Sequence, residues 1–293
     1  MQKKLLDHYL EYGLFTYPGL YEGYLQTLQG DVRELGLLLR RNFLHRTTLD
    51  AGNVGTNADL KYGDMTKVPW YRQAEDDNLT TTAAMLTELF RRDSQGLTLG
   101  RKVEDKIVLT CRHIAILMAS ILKAKGIPCR VRSGFAGYFE GTTLAWDHWI
   151  AQYWDTVTER WITVDVDGSL HRTGFDMYAI PEGKFDWSAD VWLAVREGKK
   201  DGDHFNNAGG FKGLVVIAWE LFYDFHCLMN SEILYVHRPE MTTLHNFENN
   251  SEDKLQEIDA LARLMQYPDD NFDKLLEIWN TKKEFRLLKG ALL

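Results

Sequence analysis

Residues 110–137 read TCRHIAILMASILKAKGIPCRVRSGFAG, and the order of signals within them decides the fold. Ile114, Leu117, Met118, Ile121 and Leu122 recur at helical spacing, Lys123 and Lys125 fall in the last turn, and Gly126 stops the run. Cys111 therefore opens an apolar helix. Unpaired N–H groups and the positive end of the helix dipole favour an anion there, so a thiol can lose its proton more easily than a free cysteine. The alternative is that Cys111 is a small buried hydrophobe, as many free cysteines are. After Gly126-Ile127-Pro128, the alternation of Ile127, Cys129, Val131, Ser133 and Phe135 predicts a strand, on which Cys129 serves packing.

Downstream, WDHWIAQYW (146–154) and RWITVDV (160–166) are rich in aromatic and β-branched residues, with DTVTE between them. They predict a β-hairpin. A turn centred between Thr156 and Val157 sets His148 directly opposite Asp165, with Cβ atoms roughly 5 Å apart. A carboxylate so placed can hold one imidazole nitrogen while the other faces a sulfur. Asp167 takes the same role if the register slips by one pair. Both are also compatible with an ordinary strand histidine and a strand-end carboxylate.

Upstream, residues 1–50 are expected to be helical, with one short helix before Gly13 and a second over about 32–41. The stretch 45–64 (HRTTLDAGNVGTNADLKYGD) reads as a long loop, either lid-like or a plain connector, without a phosphate-loop ending. A helix is expected within 78–93, capped by Asn78 or a nearby threonine. The segment RKVEDKIVLT reads as a polar approach to Cys111. Toward the C-terminus, helices are expected after Trp187, within 214–235, and at about 252–266 and 270–289. The apolar 214–235 segment carries Glu220, Asp224 and Glu232, which argues against a membrane span.

A net charge of −8 excludes a general nucleic-acid binder, which needs a basic face. Three cysteines, Cys111, Cys129 and Cys227, point to a reducing compartment without a disulfide framework, and the N-terminal residues do not read as a secretory signal. The expected location is the cytoplasm, with no membrane partner. Oligomeric state is not readable.

The ordered set — CRHIAILMASILKAKGIPCRVRSGF, then DHWIAQYW, then RWITVDVD — resembles the transglutaminase-like superfamily, the circularly permuted relatives of papain-type cysteine proteases. The resemblance covers about residues 80–170. It implies an α+β fold: a Cys-bearing helix against a small antiparallel sheet, with helical N- and C-terminal additions. The corresponding division is an N-terminal helical segment and loop (1–66), a catalytic core (67–186) and a C-terminal helical extension (187–293), expected to form one compact unit.

Position by position, the resemblance implies Cys111 as nucleophile, His148 as general base and acid, and Asp165, four residues after Trp161, as the orienting carboxylate. The chain has Asp147 before a His-Trp pair where relatives often have His-Ala-Trp, and Leu109-Thr110 where they commonly have a glycine before the cysteine. The oxyanion would meet the Cys111 N–H and a second donor, for which Trp70, Tyr71 and Gln73 are candidates. Asp224, Asn230 and Glu232 are expected to make structural contacts or to line a substrate wall.

The activity so implied is cysteine-dependent acyl transfer or amide hydrolysis on a protein or peptide amide: protease, amidase or deamidase, or crosslinker. It calls for no organic cofactor and no metal. A Cys111/His113/His148 metal site lacks paired zinc-ligand spacings. The alternatives are a catalytically silent scaffold that keeps the fold, and a sugar–protein amidase of the peptide N-glycanase type.

Overall fold

The computed structural model describes residues 2–46, 65–171 and 173–286. In chain order the elements are α1 (Gln2–Leu10), α2 (Glu22–Thr27), α3 (Val32–Asn42), β1 (Phe43–His45), α4 (Thr82–Arg92), β2 (Ile107–Leu109), α5 (Cys111–Ala124), β3 (Cys129–Ala136), β4 (Ala145–Asp155) and β5 (Arg160–Val164). They continue with β6 (Asp186–Trp187), α6 (Ser188–Arg196), β7 (Phe205–Asn206), α7 (Leu214–Leu228), α8 (Leu244–Phe247), α9 (Glu252–Met265), α10 (Phe272–Thr281) and α11 (Lys283–Arg286). Strand order in the main sheet is β5-β4-β3-β6, with β7 beside β4, and β1 and β2 form a separate parallel pair. The fold is α+β, and α5 packs on the antiparallel sheet as expected.

Two compact units share the chain. One comprises residues 9–129 and 150–181, and the other residues 1–8, 130–149 and 182–293. The first contains α5, and the second contains α7.

In the first unit, α5 is buried along all 14 of its residues. Its apolar side chains explain this only in part, because Ser120 and Lys123 are buried with them. Both are answered by loop carbonyls: Ser120 Oγ donates to Thr16 O (2.7 Å) and Lys123 Nζ to Glu11 O (2.7 Å). A buried polar group without such a partner would cost about 1–3 kcal/mol. Helices α2, α3 and α4 pack around α5. Helix α3 starts with a reciprocal capping box, Asp31 Oδ1 accepting from Glu34 N–H and Glu34 Oε2 from Asp31 N–H, each at 2.9 Å. α4 is capped by Thr81, whose Oγ1 accepts from Ala84 N–H. Gly36, midway along α3, lies under the ring of Tyr178: a Cβ there would fall 2.3 Å from Tyr178 Cε1.

The hairpin forms as expected, with a shifted register. Ala151 lies opposite Val164, Gln152 opposite Thr163 and Asp155 opposite Arg160. The turn is therefore centred between Val157 and Thr158, one pair away from the expected position. Asp155 accepts from the N–H groups of Val157 and Thr158, and Glu159 takes a positive φ of 49°, which lengthens the turn to residues 156–159. The β4–β5 ladder stops at Ala151–Val164, so neither His148 nor Asp165 lies within it.

In the second unit α7 is the central helix, with α6 packed on it and α9 packed on α6. It is shorter than the apolar stretch suggested, ending at Leu228. Its buried acids hold β3. Asp224 accepts from Arg132 Nε (2.7 Å) and Nη2 (2.8 Å) and from Ser133 N–H (3.1 Å), and Glu220 accepts from the Ser133 hydroxyl. Asn230 sits at a positive φ of 51° and donates to the His8 carbonyl. Asp224 and Asn230 thus make structural contacts, and Glu232 is buried. Among the described residues no helix is long and apolar enough to cross a membrane.

Candidate active site

Cys111 is the first residue of α5, 7% exposed. The residue before it, Thr110, has the extended backbone of an N-cap but makes no capping bond; its Oγ1 pairs instead with His113 Nδ1 at 2.8 Å. The Thr110 side chain therefore does not cap the first turn, while its carbonyl accepts from the His113 (3.1 Å) and Ile114 (3.3 Å) N–H groups. The Cys111 N–H donates to His45 Nε2 at 3.0 Å.

His45 arrives there through the pairing of β1 with β2. Phe43 lies opposite Ile107, Leu44 opposite Val108 and His45 opposite Leu109, in parallel. β2 runs into Cys111 after Thr110, so this register carries His45 to the start of α5. His45 Nε2 also lies 3.3 Å from Asp167 Oδ2, and Asp167 Oδ1 accepts from Arg40 Nη1 at 2.6 Å. Burial pulls the imidazole pKa down. The Asp167 charge, and a hydrogen bond and charge interaction with the Cys111 side chain, outweigh burial and the opposing Arg40 charge, so the net shift is upward. His113, on the same helix, is held neutral by burial and by Arg112, well below the usual imidazole range.

Asp165 follows β5 directly and is completely buried. Its N–H donates to Met177 O (2.8 Å), and its Oδ1 accepts from Gly168 N–H (2.7 Å). Gly168 is required by this turn, since a Cβ there would sit 2.1 Å from Asp165 Oδ2. Asp167, the reserve position, is the carboxylate that reaches His45.

His148 lies on β4 in the other unit. It is buried, with its ring edge-on to Phe139 at 4.9 Å between centroids. The neighbouring Asp147 points the other way along the strand and accepts from Ala208 N–H at 3.2 Å.

The three side chains expected as second oxyanion donors are engaged as follows. Trp70 and Tyr71 are 83% and 70% exposed, stacked edge-to-face on each other, and the Gln73 amide is turned to Val68 O. The side chain that faces the Cys111 N–H is His45, which the sequence reading did not single out. The 45–64 loop lies, apart from its first two residues, outside the described residues. Among the described residues no group of three His, Cys, Asp or Glu side chains is arranged to hold a metal. All three cysteines are reduced and buried.

Two comparisons with known proteins found a match. The family model described as the transglutaminase-like superfamily core matches residues 106–166, the segment that includes Cys111, His148 and Asp165. The crystal structure of a putative cysteine protease from Cytophaga hutchinsonii aligns at 12% identity and a TM-score of 0.35, covering 64% of this chain and 48% of that one. This chain thus spans about half the length of that protein. No curated protein matches. The match shows a transglutaminase-like superfamily core over residues 106–166, the segment that begins at β2 and α5 and closes just after the β4–β5 hairpin.

Proposed function

We propose that the chain catalyses cysteine-dependent acyl transfer or amide hydrolysis, with Cys111 as nucleophile, His148 as general base and acid, and Asp165 as the carboxylate that orients His148. The observation that carries this reading is the thiol at the first residue of a wholly buried helix, inside the family-matched segment. Backbone N–H groups of the first turn and the helix dipole favour the thiolate there.

In this reading the Cys111 sulfur attacks an amide carbonyl of a protein or peptide, and the carbonyl becomes an oxyanion. His148 gives its proton to the departing amine, leaving a thioester on Cys111. Water or a second amine, deprotonated by His148, then releases the acyl group. Water gives hydrolysis, and a lysine-like amine gives a crosslink. The low exposure of Cys111 supports a second reading, a silent scaffold that keeps the fold.

Alkylation by iodoacetamide across pH separates the two. Cys129 and Cys227 are fully buried, so labelling of the folded protein reports Cys111. Labelling that persists at or below neutral pH, and disappears in Cys111→Ala, is expected for the enzyme. A silent thiol labels slowly or only in alkali. A panel of glutamine peptides, glycopeptides and cell-wall peptides then identifies the activity. Cys111→Ala and His148→Ala are each expected to lower it by about 10³-fold or more.

A further inference from the structure

We propose that Lys106 is a modification site: its side-chain amine, set beside two arginines with no carboxylate to pair with, accepts an acyl group from an activated donor of the acyl phosphate class. The inference makes no use of Cys111 and stands apart from the acyl-transfer reading above.

The β1–β2 pairing puts the amine there. Phe43 lies opposite Ile107 in parallel, so Lys106, one residue earlier, comes beside Asn42 at the end of α3. Arg40 and Arg41 occupy the last turn of that helix. Arg72 Nη2 and Arg92 Nη1, from the turn at 70–72 and from α4, each donate to the Lys106 carbonyl at 2.6 Å, which fixes its backbone.

The nearby acids are committed elsewhere. Asp167 accepts from Arg40, and Glu75 accepts from Arg72, Arg92 and the Val108 N–H. Among the described residues Lys106 Nζ has no hydrogen-bond or ion-pair partner, the adjacent Glu104 and Asp105 included, and the residue is half-buried. An ammonium so placed is disfavoured twice, by lost hydration and by like charge. Burial and the Arg40 and Arg41 charges accordingly push its pKa down to about 8. At pH 7 such an amine is neutral about 300 times more often than one at the ordinary value of 10.5, and only the neutral amine is a nucleophile.

The Nζ lone pair attacks the acyl carbon and a C–N bond forms. The C–O bond to phosphate breaks, its electron pair leaves on the phosphate, and the amine proton passes to water. The product is a neutral amide. The arginines keep their charge at any pH the protein meets, so Lys106 is the member of this cluster whose charge acylation removes.

The test uses the full-length chain with Cys111→Ala, so that no thiol at that position competes for the donor. Acetyl phosphate is added at pH 7 and at pH 10, and mass spectrometry of proteolytic peptides gives an acetylation rate for each lysine. At pH 7 Lys106 should react at least about tenfold faster than the exposed Lys67 and Lys102. At pH 10 that ratio should fall by about threefold or more, because the other amines lose their protons too. Arg41→Glu gives the amine a carboxylate neighbour and should slow Lys106 at pH 7 by about threefold or more, leaving Lys67 unchanged.

A Lys106 rate at pH 7 no higher than those of Lys67 and Lys102 would overturn the proposal. So would an advantage that is the same at pH 10, or one that survives Arg41→Glu, because the reactivity would then come from access and not from the charged surroundings. If Arg41→Glu unfolds, Cys129 and Cys227 become open to iodoacetamide, and Arg41→Gln makes the same comparison with an expected drop of about twofold.

Discussion

Each of the two units buries an arginine–aspartate pair and a histidine, and the two sets are wired differently. In the α7 unit, Asp224 grips Arg132 through two parallel bonds and takes a third from the Ser133 N–H. His226 lies between two backbone carbonyls, Nδ1 near Ser231 O and Nε2 near Phe285 O. In the α5 unit, Asp167 gives one oxygen to Arg40 and turns the other to His45, which reaches Cys111. The first arrangement is directed at the backbone and β3. The second passes charge to the start of a helix that carries a thiol. The same residue types therefore brace a strand in one place and surround a helix-start thiol in the other.

The largest effect should come from breaking the closed set. Asp224→Ala leaves Arg132 charged in a site where its side chain is 4% exposed. Losing one partner of a buried pair costs about 3–5 kcal/mol. Urea unfolding should show that loss, and a change below about 1 kcal/mol would place Asp224 among ordinary surface acids.

Next comes acid. Burial pushes His226 down to about 4, against the two carbonyls that favour its charged form. The unfolded chain takes up this proton near pH 6.5 and the folded chain does not until about pH 4. Stability is thus lost as pH falls through that window, by about 3 kcal/mol when complete. His226→Gln should flatten the difference in denaturation midpoint between pH 7 and pH 4. His45 has the opposite sign. Its raised pKa contributes stability that is complete below about pH 6.5 and is lost as pH rises through the folded value.

The smallest change in stability should come from Asp167→Asn. The neutral amide keeps the shape and part of the hydrogen bonding, so about 1–2 kcal/mol is expected. The His45 pKa should fall, because its main supporting charge is gone, and imidazole NMR titration reads this directly. An unshifted His45 would remove the contrast between the two sets.

What could be read along the chain were the elements with a strong local pattern. Helix α5 declared itself through five apolar positions, a following Gly126 and Pro128. The hairpin did so through aromatic and β-branched residues on both arms. The register needed more than that, because Glu159 adopts a left-handed backbone that no composition rule assigns to a glutamate. β1 and β2 were invisible for a different reason. Each is three residues long, too short for periodicity, and they pair in parallel across more than sixty intervening positions. His45 consequently looked like the first residue of a polar loop, and the carboxylate behind it like a spare. The role of Asp224 was legible only in outline, since a buried acid on a helix does not disclose which strand it serves.

Gly36 carries a consequence for how this protein can change over evolutionary time. Replacing a mid-helix glycine with alanine ordinarily gains about 1 kcal/mol. Here a methyl group at that position would collide with the ring of Tyr178. Drift at these two distant sites is therefore tied together: a descendant that acquires a side chain at 36 must first, or simultaneously, shrink the residue at 178.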